Sequence, residues 1–201
     1  DYIIADPTVI PEDQRQYYNE ACIYLPHCYL PTDNQQVLAT ASTARVDYGL
    51  PETAFIFCCF NNSYKISVNE FDIWMRLLNN VEGSVLWLLK SNELATQNLK
   101  RQAESRGISA DRVIFAERLP QTEHLARQRL ADLFLDTFNY NAHTTTSDAL
   151  WAGLPLVTKM GQGFAARVAG SLLAAVGLPE LITLNEEDYE ALILELATNP
   201  A

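Results

Sequence analysis

Three short stretches of this chain concentrate side chains that can hold an anion, a sugar ring or a base. "NNSYK" (61–65) ends on Lys65, a compact point charge that follows two asparagines. "LPQTEHLAR" (119–127) sets His124 and Arg127 three residues apart, so on a helix they share a face and could stack on and hydrogen-bond a base. "NYNAHTTT" (139–146) runs His143 and three threonines into an alanine- and leucine-rich segment. A helix starting there would offer free amides and a positive dipole end to an anion, with the hydroxyls of Thr144 and Thr145 beside them. Asp148 follows Thr144 by four residues and projects from the same helix face, where a carboxylate suits ribose hydroxyls better than phosphate.

Each of these residues also has a plainer reading. Thr144 or Thr145 caps a helix, Asp148 is a solvated acid in an early turn, and His143 belongs to a loop. Lys65, His124 and Arg127 are then solvated side chains. Residue types alone leave both readings open. Neither G-x-G-x-x-G nor G-x-x-x-x-G-K-[ST] occurs, so a dinucleotide fingerprint and a P-loop are unsupported.

What would bring these stretches together is the rhythm of the chain from residue 51 onward. "AFIFCCF" (54–60), "SVLWLLK" (84–90), "RVIFAER" (112–118), "LFLDTF" (133–138), "PLVTK" (155–159) and "ELITL" (180–184) are short apolar runs of the kind that doubly buried strands show. Between them fall helical patterns: 67–81 with a Ser67–Glu70 capping box, 93–107 closed by Gly107, 121–131, the stretch after His143, 163–177, and 185–198. Strands alternating with helices over short connections predict an α/β fold, a doubly wound, mostly parallel, Rossmann-like sheet covered on both faces. Ligands in such sheets bind beyond the carboxyl ends of the strands, and all three polar stretches follow strands directly. Residues 1–50 break the rhythm. "DYIIAD" reads as a strand, "EDQRQYYNEAC" as a helix, "IYLPHCYLP" as strand or extended, and "TDNQQVLATASTARVDYG" as loop or linker, which sets a boundary near residues 45–52.

Composition narrows the function classes. The 201 residues suit one large domain, or one domain with an appendage. A net charge of −11 argues against a general affinity for nucleic acid or an anionic membrane surface, while leaving room for a local basic pocket. Cys22, Cys28, Cys58 and Cys59 form no C-x-x-C pair and have no histidine at zinc-finger spacing, which points to a reducing, cytoplasmic compartment and no metal. No run approaches the roughly 20 apolar residues of a membrane span. The opening "DYIIADPTVIPEDQ" lacks Met and a basic n-region, so it does not read as a signal peptide, and the chain reads as a piece of something longer.

Taken together, "FNNSYKI" (60–66), "SVLWLLK" (84–90), "RVIFAERLPQTEHLAR" (112–127), "LADLFLDTFNYNAHTTTSDALWAGLPLVT" (130–158) and "ARVAGSLLAAVGLPELI" (166–182) resemble, in order, the catalytic region of the O-linked N-acetylglucosamine transferase and SPINDLY family, glycosyltransferase family 41. "DYIIAD" and "YLPHCYLP" resemble the segment ahead of its second nucleotide-binding lobe. The resemblance implies a GT-B architecture of two Rossmann-like lobes, usually preceded by tetratricopeptide repeats. Residues 51–201 would be the C-terminal, donor-binding lobe and residues 1–50 the tail of the preceding lobe. It implies metal-independent, inverting transfer of a sugar, with UDP-N-acetylglucosamine as donor, to Ser or Thr of acceptor proteins. GDP-fucose transfer, or a non-catalytic module that senses nucleotide sugars, are the alternatives. The acceptor site would lie in the missing lobe and repeats, so this chain alone would bind nucleotide without turnover.

Carried across by position, the resemblance assigns Lys65 to the donor diphosphate as the catalytic cation. Thr144 and Thr145, with His143 alongside, would bind phosphate, Asp148 the ribose and His124 the base, with Arg127 beside it. Asn62, Leu119 and Gln121 would complete the donor contacts. Four departures stand out against the animal members: Asn62 replaces Gln, Gln121 replaces Lys, Thr146 replaces Gly, and Tyr140 replaces a smaller residue near the expected sugar pocket. They bear on which sugar and base are held.

Overall fold

In the computed structural model, which describes residues 1–39 and 43–199, the alternation resolves into one six-stranded parallel sheet with helices between its strands. Strands β1 (Tyr2–Ala5) and β2 (Ala21–Tyr24) come first and pair only with each other. The main sheet comprises β3 (Ile56–Cys59), β4 (Val85–Leu89), β5 (Val113–Ala116), β6 (Leu133–Leu135), β7 (Leu156–Lys159) and β8 (Ile182–Thr183). Its helices are α1 (Val68–Asn80), α2 (Glu93–Glu104), α3 (Gln121–Gln128), α4 (Thr144–Ala152), α5 (Val168–Ala175) and α6 (Glu186–Thr198). Among the described residues no helix is long and apolar enough to cross a membrane.

The sheet order is β5-β4-β3-β6-β7-β8. The chain therefore builds outward from β3 to one edge, returns to lay β6 against the other side of β3, and builds outward again. Connections after β3 and β6 diverge to opposite faces, which opens a crevice at their carboxyl ends. Every residue of β3 is buried, as covering on both faces requires, and Cys58 and Cys59 sit there as small apolar side chains with free thiols. Burial pushes both thiols well above the ordinary cysteine value, so both stay protonated at neutral pH.

Local signals set the helix starts. Glu70 reaches back to the Ser67 amide at 2.7 Å, the expected box at the head of α1. Asn92 and Asn185 cap α2 and α6 by accepting from Ala95 N and Asp188 N, each at 2.8 Å. Two expectations need correction. The helix expected over "EDQRQYYNEAC" is only a 3-10 turn, Glu12–Tyr17, because Ala21 and Cys22 are taken into β2 beside Tyr2 and Ile3. The helix expected from 163 begins at Val168, after a separate 3-10 turn at Phe164–Ala166. Of the polar linker stretch, residues 40–42 lie outside the described residues.

The opening segment is tied to the main sheet through α5. Ala5, Val9 and Ile10 pack with Val168 and Leu172 in a second, smaller core. Beneath it the fully buried carboxylate of Asp6 accepts from the amides of Thr8, Val9 and Tyr29 and from the Ser171 hydroxyl, at 2.7–3.0 Å. Removing it strands buried donors, each of which costs about 1–3 kcal/mol when left unsatisfied. Asp6→Ala should therefore lower the unfolding free energy by about 3 kcal/mol or more. Ser171→Ala, losing one bond, should cost about 1 kcal/mol in the same urea titration; equal, negligible losses in both would contradict this anchoring role.

Candidate functional site

The crevice between β3 and β6 collects the polar stretches from three directions. A 3-10 turn, Ser63–Lys65, follows β3 directly and presents Lys65. The loop 136–143 follows β6 and ends at the first turn of α4, where His143 is the N-cap residue and Thr144 and Thr145 are the first two helical positions. The loop after β5 brings Leu119, with Gln121 opening α3. Three adjoining depressions result. One of about 330 Å³ is walled by Asn62, Lys65, Tyr140, His143, Thr144 and Thr145. It meets, at Thr144, a second of about 300 Å³ holding Gln121, Ser147 and Asp148 under the strap Pro31–Gln36. Gln121 leads on to a third of about 190 Å³ between Leu119, His124, Arg127 and Arg118. All ten residues singled out in the sequence thus line one continuous groove.

The helix start differs from the capping expectation. No side chain caps α4. Thr146, the residue without a role at the sequence level, is fully buried and donates its hydroxyl back to the Ala142 carbonyl at 2.8 Å. It is part of the scaffold, while Thr144 stays exposed and Thr145 partly so. The dipole end and the early amides of α4 are left facing the groove, the arrangement that suits an anion.

The cation opposite is held by the loop. Lys65 Nζ donates to the Asn141 carbonyl at 3.0 Å and lies 4.1 Å from the centre of the Tyr140 ring. Half-burial lowers its pKa below the ordinary lysine value, opposed by the negative charge of Asp136. The His143 ring stacks on Tyr140 at 4.6 Å, and its Nε2 lies 3.1 Å from the Ala165 carbonyl. A carbonyl only accepts, so Nε2 carries the hydrogen and Nδ1 keeps its lone pair when the ring is neutral. Burial lowers the His143 pKa, which favours that neutral ring.

Two residues that the sequence reading passed over organise this corner. Asp136, at the end of β6, is completely buried and accepts from the Thr137 and Ala142 amides, the Thr158 hydroxyl and, at 3.3 Å, Asn61 Nδ2. Burial lifts its pKa to about 7, against the pull of those donors and of Lys65. Asn61 also donates to the Thr137 hydroxyl at 2.9 Å, tying the end of β3 to the end of β6. A carboxylate closing an apolar strand run, "LFLD", was the available signal.

At the other end, Arg127 is buried and does not project freely into the groove. Its guanidinium donates to the Glu117 carbonyl at 2.5 Å and to His124 Nδ1 at 2.7 and 3.1 Å, and it lies over the Phe60 and Trp87 rings. Nδ1 of His124 therefore accepts, and its remaining N–H, on Nε2, is free to donate. Asp148 accepts from Gln121 at 3.2 Å, and burial raises its pKa. Asn62 accepts from Arg118 at 3.3 Å, linking the rims of the first and third depressions. Among the described residues no three His, Cys, Asp or Glu side chains gather as a metal site would need.

Comparison with known proteins follows the same lines. The family model described as glycosyl transferase family 41 matches residues 38–201. A probable UDP-N-acetylglucosamine–peptide N-acetylglucosaminyltransferase SEC of Arabidopsis thaliana is 40% identical over 99% of this chain, covering 21% of its own length. The UDP-N-acetylglucosamine–peptide N-acetylglucosaminyltransferase of Caenorhabditis elegans is 39% identical over 78% of this chain and 14% of its own. This chain thus spans less than a quarter of the length of these curated relatives. A mutant of the Thermobaculum terrenum O-GlcNAc transferase superposes over the whole chain with a TM-score of 0.87 at 29% identity, covering 38% of that structure.

The electrostatics of the groove have a measurable consequence. Burial, and then the neighbouring Arg127 charge, push the His124 pKa down from 6.5 to about 4. Between those values the unfolded chain binds a proton that the folded chain refuses, so this contribution to stability is present above about pH 6.5 and is lost as the pH falls towards 4. His124→Gln should flatten part of the decline in urea stability over that window, leaving the share due to His143; an unchanged slope would contradict the buried, neutral imidazole.

Proposed function

Because the chain belongs to glycosyl transferase family 41, we propose that it is the nucleotide-sugar-binding lobe of a longer, inverting protein O-glycosyltransferase. The donor is UDP-N-acetylglucosamine and the acceptors are Ser and Thr hydroxyls of proteins. The observation that carries this reading is the meeting of Lys65 with the uncapped start of α4 across one depression. A nucleoside diphosphate leaving group develops negative charge as the glycosidic bond breaks. Preorganised donors and a cation at that position stabilise the transition state without reorganising. Lys65 supplies the charge, and the Thr144 and Thr145 amides and hydroxyls supply the donors, which is the electrostatic task that a divalent cation performs in other enzymes.

The remaining assignments run along the groove. Asp148, steadied by Gln121, accepts from the ribose hydroxyls in the second depression. His124 offers its ring and its Nε2–H to the base, while Arg127 holds that ring and fixes its tautomer. Asn62, Leu119 and Gln121 complete the donor contacts. Residues 1–50 belong to the preceding lobe, a reading supported by the separate β1–β2 sheet and by the exposed Tyr2 and Ile4 on its outer side. The acceptor site lies outside this chain, in the preceding lobe and repeats of the full-length protein.

Two experiments test this. In the full-length protein, Lys65→Ala should cut transfer by about a hundredfold or more while weakening UDP binding far less, since the charge matters most as the bond breaks. Normal transfer by that variant would remove the assigned role. Calorimetric titration of this chain should show UDP binding without turnover of UDP-N-acetylglucosamine. Preference for GDP would favour the fucose donor instead, and nucleotide binding combined with an inactive full-length protein would favour a sensing module.

A further inference from the structure

Tyr140 is one of the few large aromatic side chains left 45% exposed, and it sits in the wall of the Lys65 depression. Its position is fixed from several sides. The Tyr140 carbonyl accepts from the Thr137 hydroxyl at 2.7 Å, so the backbone there is locked to the end of β6. The ring stacks on His143 with an interplanar angle of 21°, and His143 is itself pinned to the Ala165 carbonyl. The Lys65 ammonium lies 4.1 Å from the ring centre and donates to the carbonyl of the next residue, Asn141. Among the described residues no carboxylate forms an ion pair with Lys65; its direct partners are a carbonyl dipole and a ring face.

We propose that Tyr140 is a positioning residue for Lys65: its ring face, together with the Asn141 carbonyl, holds the ammonium charged and aimed into the depression.

The negative face of an aromatic ring attracts a cation, and the attraction strengthens as water is withdrawn. It favours the protonated lysine over the neutral amine and so opposes the effect of burial. The charged group that acts on Lys65 is Asp136 at the end of β6, which favours its charge; Cys59 at the end of β3 keeps a neutral thiol, and burial favours the neutral ring of His143 at the head of α4. None of them touches the ammonium directly. Loop geometry explains why the ring is there: Asp136 fixes residues 137–142, and those residues present both the ring and the carbonyl.

The consequence for transfer rests on the nucleotide-sugar reading, but the charge state of Lys65 can be measured without it. Nuclear magnetic resonance titration of the Lys65 ammonium in this chain should show its midpoint falling by about half to one pH unit in Tyr140→Leu. Tyr140→Phe, which keeps the ring, should restore it. Fluorinated phenylalanines at position 140, which keep the shape but drain the ring face, should lower the midpoint stepwise with each fluorine. In the full-length protein the alkaline limb of kcat should move to lower pH by the same amount in Tyr140→Leu, with little change in KM for the donor. Equal midpoints in wild type, Tyr140→Leu and the fluorinated series would overturn the proposal, whatever Lys65→Ala does to transfer. A falling midpoint alongside an active Lys65→Ala enzyme would support the positioning role and remove the leaving-group role assigned to Lys65 instead.

Discussion

The groove depends on one buried carboxylate. Asp136 has no access to solvent, and its two oxygens collect hydrogen bonds from three segments: the loop that follows β6, the hydroxyl of Thr158 on β7, and the Asn61 amide at the end of β3. The main-chain donors are the amides of Thr137 and Ala142, which bracket the loop between β6 and α4. Holding both ends of that loop fixes what lies between and just beyond them: Tyr140, the Asn141 carbonyl and the start of α4. Burying a carboxylate is costly unless its acceptors are filled. Here the filling of those acceptors is what joins the two halves of the sheet at the point where strand order reverses.

Charge is then arranged locally against the global trend. The chain carries a net charge of −11, which repels anions at long range, yet the first depression presents a lysine, helix amides and threonine hydroxyls. Such a site works by short-range, partly dehydrated contacts and so discriminates an anion that fits from anions in general. The acidic residues of the groove, Asp148 and Asp33, lie in the neighbouring depression, where Gln121 holds Asp148. Arg118, which reaches Asn62, adds a second cation at the rim.

Much of the fold could be read from the sequence because its signals are local and redundant. Each strand of the main sheet is a short apolar run, and Ser67–Glu70 and Gly107 mark helix ends by chemistry that needs no tertiary context. Residues 1–50 were harder. Whether "EDQRQYYNEAC" becomes a helix depends on β2 claiming Ala21 and Cys22, a pairing with residues nineteen positions away. The groove residues were legible as a set because each follows a strand, but their partners were not. Thr146 turns inward to Ala142, Arg127 folds under His124, and the Tyr140 ring receives Lys65. These outcomes depend on side-chain directions that spacing does not encode. The role of Asp136 was hidden for the same reason, since one acid at the end of a strand gives no hint of the donors that will converge on it.

The central claim is that the start of α4 and Lys65 together hold the diphosphate of a nucleotide. A crystal structure of this chain soaked with UDP tests it most directly. The β-phosphate should lie within hydrogen-bond reach of the Thr144 and Thr145 amides and of Lys65 Nζ, which keeps the Asn141 carbonyl on another of its three N–H donors, with the base against His124. A nucleotide bound elsewhere, or bound in the groove with its phosphates directed away from α4, would contradict the account.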